Sequence, residues 1–208
     1  LNLTGVTGLT EVNNASSANG ATLAVSNLGA PVNTTITGGN AATTIGYTTA
    51  VTAATAITDA STLTLAGTSA GSSFTATGIE AVTVKSTTSA NVLSSLAVAS
   101  ARSVVLEGDQ DLAVLTGTVG GSALTTLDAS AATGAITLTT GSGTSAATPK
   151  DVTGVTVTAP TSADAGLFTI TTGSVKDVVT LGGGDAVVAT GAGADTIVSS
   201  TGASTITA

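Results

Sequence analysis

The stretch from Thr172 to Ile206 reads TGSVKDVVTLGGGDAVVATGAGADTIVSSTGASTI. Three times in it, glycines or other small residues run up to an aspartate, and a β-prone apolar run follows. Asp177 leads into Val178-Val179, Asp185 into Val187-Val188, and Asp195 into Ile197-Val198. The first two aspartates are 8 residues apart and the second two are 10 apart. Chemistry gives this spacing a meaning. A hard cation such as Ca²⁺ takes about six to eight oxygens. Glycines let a turn adopt φ > 0 and aim its carbonyls inward, and the aspartate adds a charged oxygen. The apolar residue after it starts a short strand whose side chain enters a core. One ion can then be shared between a turn and the next turn along a stack.

The pattern follows G-G-x-G-x-D-x-U-x, the calcium-binding nonapeptide of a parallel β-roll, which recurs about every nine residues. The candidate metal ligands are Asp177, Gly182, Gly183, Gly184, Asp185, Gly191, Gly193 and Asp195. Gly191 to Ile197 is the best unit. The unit at Gly182 to Asp185 is one residue short, and the first unit has Val175 where a glycine is wanted. In a fourth unit, Thr201 to Thr207, Ser204 stands in the aspartate place. Gly and Asp also dominate ordinary turns for reasons unrelated to metal, so a plain turn series is the competing explanation.

The rest of the composition points to strands. The 208 residues include no Cys, Met, Trp or His, and 8% are charged, with 12 acids, 4 bases and a net charge of −8. Hydrophobic residues make up 42%, and the mean hydropathy is +0.53. Val, Ile, Leu and Ala set beside abundant Thr form a strand-prone mixture, and recurrent β-branched residues and Gly disfavour helix. Without Cys, no disulfide staples the fold.

These features exclude several functions. The bases Lys85, Arg102, Lys150 and Lys176 are scattered through an acidic chain, so a nucleic-acid partner is not expected. No run of about 18 apolar residues marks a transmembrane segment. No signal-peptide pattern opens the sequence, which starts mid-pattern at Leu1 and is expected to be a fragment of a longer protein.

Short runs alternating apolar residues with Thr recur along the chain, at the period of two expected of strands with one buried face. They include Thr22 to Val25, Thr34 to Thr37, Leu63 to Ala66, Ala81 to Val84, Ser103 to Leu106, Leu112 to Leu115, Ala135 to Leu138, Val155 to Val157 and Phe168 to Ile170. Val82 to Val104 is a step of 22, as is Val105 to Leu127, and a second run falls inside each step. No comparable step leads from Leu127 to Val155. Two strands per coil of about 20 to 25 residues define a two-sheet solenoid. The expected fold is all-β, a parallel β-solenoid or β-roll of short strands. The alternative is a β-sandwich region followed by a C-terminal β-roll. Rungs about 4.8 Å apart stack like on like, which suits Val, Ile, Leu and Thr. Asn13, Asn14, Asn27, Asn33 and Asn40 fall at expected turns, where they can ladder or cap.

The segments Gly78 to Val84, Ala101 to Gly108 and Leu124 to Ser130 follow in that order and end in the Asp195 repeats. Together with the opening Gly5 to Asn13, this order resembles the RTX-type surface-layer (S-layer) proteins of Gram-negative bacteria, exported by type I secretion. The resemblance is patchy and covers about two thirds of the chain. It implies a structural subunit that is secreted unfolded, folds in extracellular Ca²⁺, and assembles with copies of itself into a two-dimensional crystalline coat on the outer cell surface. Family members anchor to lipopolysaccharide through an N-terminal domain that this chain does not show. On this basis 1–170 is a strand-rich S-layer-like region and 171–208 an RTX-like calcium-binding β-roll segment. An RTX adhesin segment, or the non-catalytic β-roll tail of a secreted hydrolase, has similar composition.

An enzyme is not expected. Without His and Cys the chain lacks the commonest general base and the thiol nucleophile. Glu107, Asp109 and Asp111 alternate, so in an extended segment they share one side. Such acids can serve in glycoside hydrolysis, but the chain has almost no aromatic surface for a sugar. They read as a solvated turn or as a calcium or inter-subunit cation site, since like charges this close repel unless a cation joins them. Asp128 and Asp151 read as turn residues, with Asp128 a further candidate ligand.

Overall fold

The structure, a computed structural model, describes residues 1–15, 20–39, 41–52, 59–117, 119–120, 123–140 and 154–208. Its strands in chain order are β1 (Glu11–Asn14), β2 (Ala21–Leu28), β3 (Asn33–Thr37), β4 (Ala41–Tyr47), β5 (Ala60–Ala66), β6 (Ser73–Ala76), β7 (Ala81–Thr87), β8 (Asn91–Ala97) and β9 (Ser103–Gly108). There follow β10 (Leu112–Thr116), β11 (Thr126–Asp128), β12 (Ile136–Thr139), β13 (Thr156–Thr158), β14 (Phe168–Thr171), β15 (Val178–Thr180), β16 (Ala186–Ala189), β17 (Thr196–Val198) and β18 (Ser204–Thr207). One helical turn, α1 (Thr49–Thr52), lies between β4 and β5.

The odd-numbered strands form one nine-stranded sheet and the even-numbered strands another. Every strand pairs in parallel with the strand two places on. This is a parallel β-solenoid with two strands per coil. A sandwich of antiparallel strands is not what forms, because each coil returns the chain to the same sheet one rung higher.

Alternation of side chains explains the packing. In β5 the buried residues are Ser61, Leu63 and Leu65, and the residues between them face out. Register then stacks like on like. Val82, Val104, Leu127, Val157, Val179 and Ile197 form one column in the odd sheet. Leu112, Ile136, Phe168 and Ala186 form a column in the even sheet. Each fully buried aliphatic side chain contributes about 1.5–3 kcal/mol, so every coil carries its own share of the core.

Coil length varies along the stack. Val82 lies opposite Val104, the 22-residue step read from the sequence. Leu127 lies opposite Val104 rather than one 22-residue step from Val105, because the coil from β9 to β11 holds 23 residues. The coil from β11 to β13 holds 30, which is why no step leads on from Leu127. From β15 to β17, β14 to β16 and β16 to β18 the coil holds 18, two nonapeptides. The position between 170 and 171 falls inside β14, and both sheets run through it unbroken.

Four of these asparagines lie in strands, not in turns. Asn13 and Asn14 lie in β1, Asn27 in β2 at φ 61°, and Asn33 starts β3. Asn14 is buried and donates from Nδ2 to Thr43 Oγ1 at 2.8 Å, a polar tie inside the core. Asn40 lies outside the described residues.

Candidate functional site

The three repeat aspartates each stand one residue before a strand, at a corner of the solenoid. Asp177 and Asp195 occupy the same corner one coil apart, ahead of β15 and β17. Asp185 occupies the opposite corner, ahead of β16. Alternate corners follow from nonapeptides, because two of them make one coil.

Each of these carboxylates grips a neighbouring coil's backbone. Asp195 Oδ1 accepts the Asp177 N–H at 2.9 Å, and Asp177 Oδ1 accepts the Val155 N–H at 2.8 Å. Asp185 Oδ1 accepts the Ala203 N–H at 2.8 Å. A charged acceptor for a backbone donor makes one of the stronger hydrogen bonds. Asp177 is fully buried, and its second oxygen, Oδ2, has no hydrogen-bond partner. A buried carboxylate oxygen without a donor is costly.

The glycines divide into two kinds. Gly191 and Gly193 have φ of 79° and 148°, as a turn aiming carbonyls inward requires. A Cβ on Gly191 would strike the Gly173 carbonyl, and one on Gly193 would strike the Val175 carbonyl and Asp195 Oδ1. Gly182, Gly183 and Gly184 do not have positive φ; room, not φ, selects glycine there. A Cβ on Gly182 would fall on the Pro160 carbonyl and one on Gly183 on the Thr161 carbonyl, while the nearest atom to one on Gly184 would be the Ala165 carbonyl oxygen. The turns of successive coils are thus in direct backbone contact. Carbonyl oxygens of Gly173 and Val175 lie against the turn formed by Gly191 and Gly193, and oxygens of this hard type suit Ca²⁺.

The acids Glu107, Asp109 and Asp111 do not act as one group. Glu107 lies on β9 and pairs with Lys85 Nζ at 2.9 Å. Gly108 follows at φ 116° and ends the extended run, so the alternation that would align the three is broken. Asp111 Oδ1 accepts the Ala135 N–H at 2.8 Å, and Asp109 is exposed in the bend between. Asp128 Oδ1 accepts the Ser130 N–H, closing its own turn. Among the described residues no three of Asp, Glu, His or Cys come together as a metal-holding group. Asp151 lies outside the described residues.

Further corner residues share the aspartates' task, and of these Glu80 and Asn91 were not singled out in the sequence. Glu80 Oε2 accepts the Asp59 N–H at 3.1 Å. Asn33 Oδ1 accepts the Thr62 N–H, and Asn91 Oδ1 accepts the N–H and hydroxyl of Thr68. Their signal is position: Glu80 and Asp111 stand one residue ahead of a strand and Asn33 and Asn91 open one. Nearby, burial raises the pKa of the Tyr47 phenol, against partly opposing hydrogen bonds from the Val32 backbone and Ser61.

Among the described residues no helix is long and apolar enough to cross a membrane. The chain matches no protein-family model, no curated protein and no solved structure.

Proposed function

We propose that this chain is an assembly module of a calcium-dependent crystalline surface layer, secreted and held on the outer face of a bacterium. One observation carries the reading. The solenoid shortens at its C-terminal end to 18-residue coils with an aspartate at three successive turns, and the buried Asp177 keeps one oxygen free of any donor. In this reading Ca²⁺ lies against Asp177 and Asp195 and their turn carbonyls, and a second ion lies against Asp185. Negative charge in an already acidic chain opposes the compact state, and a bound cation offsets it. The exposed Asp109 and Asp111 repel their counterparts on a neighbouring subunit until a divalent cation bridges them.

The test is to titrate Ca²⁺ and Mg²⁺ against the parent protein and follow sheet growth by light scattering and electron microscopy. Sheets are expected at about millimolar Ca²⁺, the affinity range of extracellular sites. Mg²⁺ is expected to replace it weakly, because it dehydrates reluctantly and prefers octahedral sites. Equal growth in EGTA would rule out calcium bridging. Isolated fibres or monomers in Ca²⁺ would favour the adhesin reading.

A further inference from the structure

The two sheets differ in charge. The odd strands carry Glu11, Lys85, Glu107 and Asp128. The nine even strands carry no charged residue at all. Outward positions on the even sheet line up in uncharged columns. Ala113, Thr137, Thr169, Val187 and Thr205 form one, and Thr139, Thr171, Ala189 and Thr207 another. Leu115, on the middle strand β10, is 55% exposed, and Val187 is 38% exposed. A large aliphatic side chain left in water at the centre of a charge-free face is what an interface presents.

We infer that the outer face of the even sheet is a contact surface for a second copy of this chain, packed sheet on sheet. The inference deepens the assembly reading and rests on it for the choice of occupant. Charge favours this face over the others. Two copies of net charge −8 repel, and only the even sheet lets them meet without setting the charged side chains of facing strands against one another. Asp111 and Asp185 precede β10 and β16 and so stand at its margin, the polar rim usual around an apolar centre. Size is adequate. Nine strands about 4.8 Å apart and about four or five residues wide cover roughly 600 Å² per copy, or about 1,200 Å² for the pair, just above the roughly 1,000 Å² a specific interface needs. Thr, Ala and Val lose little rotamer freedom on packing, and a two-fold axis through the face would place Leu115 of each copy near the centre. No cation is needed in this contact.

The 208-residue chain would be measured by sedimentation across concentration in EGTA, and again in Ca²⁺. The mass is expected to double in both, and to double at lower concentration when salt screens the net charge. Leu115→Lys and Val187→Lys are expected to raise the dissociation constant at least tenfold with an unchanged circular dichroism spectrum. Val105→Lys, on the outer face of the odd sheet, is expected to leave it unchanged. A monomer at every concentration would overturn the inference and leave the face to another partner, such as a crystalline polysaccharide. Equal weakening by all three variants would overturn it too. Failure of sheets to form in Ca²⁺ with the dimer intact would count against the surface layer and not against this contact. Calcium-grown sheets indifferent to Leu115→Lys would do the reverse.

Discussion

The earlier coils hold themselves together with asparagine as well as with the carboxylates of Glu80 and Asp111, where the last coils use aspartate. Asn33 and Asn91 accept a backbone N–H from a residue of the neighbouring coil through a neutral carboxamide. Asp177, Asp185 and Asp195 do the same through a carboxylate. No asparagine occurs after Asn91. A neutral acceptor therefore suffices for the grip, and the grip does not account for charge in the last coils. The glycines differ in parallel. A Cβ on Gly5, Gly8, Gly20, Gly29 or Gly38 would meet nothing within 4 Å, whereas one on Gly182, Gly191 or Gly202 would strike a backbone carbonyl of the coil below. The early turns are open and their coils uneven. The late turns are stacked tightly, and three of them carry a carboxylate.

Exchanging the acceptor in an early coil has the largest expected effect. Asn91 is buried, and its Nδ2 donates to Ser86 Oγ, Thr87 O and Ser89 O while Oδ1 accepts from Thr68. Asn91→Asp keeps the Thr68 bond but turns a carboxylate toward the carbonyls of Thr87 and Ser89. A buried charge facing acceptors is expected to cost about 3 kcal/mol or more, read as a fall in the urea midpoint. A change under about 1 kcal/mol would mean that the corners tolerate charge anywhere, and the contrast between the two ends would lose its meaning.

The next effect sharpens the contrast in the turns. Gly182→Ala places a methyl on the Pro160 carbonyl, which is backbone and cannot swing away. The loss expected is about 2–3 kcal/mol. Gly29→Ala meets open space at an ordinary φ and is expected to stay within about 0.5 kcal/mol. Denaturation midpoints of the two variants compare them directly, and equal losses would show that the late turns are not stacked as described.

Much of this was legible in the sequence. Thr alternating with Val, Ile or Leu marked β3, β5, β7 and β14, because only a period of two buries one face. The 22-residue step from Val82 to Val104 gave two strands per coil. The register beyond it was hidden by uneven connections. The coils spanning β3 to β5 and β11 to β13 run to 29 and 30 residues, and both add their extra residues between an even and an odd strand. A repeat search sees such insertions as drift. Asp177, Asp185 and Asp195 could be picked out, since Gly-rich turns ahead of an aspartate are a local pattern. Their use as backbone acceptors could not, because the donor sits 18 or 22 residues away. A separation of 23 residues from Thr68 hid Asn91. The trio Glu107, Asp109 and Asp111 misled through alternation that Gly108 interrupts with a single positive φ.

The smallest structural change tests the comparison most directly. Asp195→Asn keeps an Oδ1 that can accept the Asp177 N–H, now held at 2.9 Å, just as Asn91 Oδ1 serves Thr68. In EGTA the variant should therefore melt within about 0.5 kcal/mol of the natural chain, and loss of one negative charge from a chain of net −8 works in its favour. In Ca²⁺ the two should part. At a concentration ten times the dissociation constant, one site adds about 1.4 kcal/mol to the natural chain. The asparagine variant should lack that increment, because a carboxamide is a weaker ligand for a hard cation. Asp128→Ala should keep it, since Asp128 closes only its own turn onto Ser130. Calorimetric titration with Ca²⁺ and melts with and without EGTA read both quantities, and exchange protection at the Asp177 amide reports whether the grip survives. If Asp195→Asn retains the full calcium increment, the ion lies elsewhere. If the variant fails in EGTA as badly as Asp195→Ala, the carboxylate is there for the hydrogen bond, and the difference between the two ends of the solenoid is one of strength and not of metal.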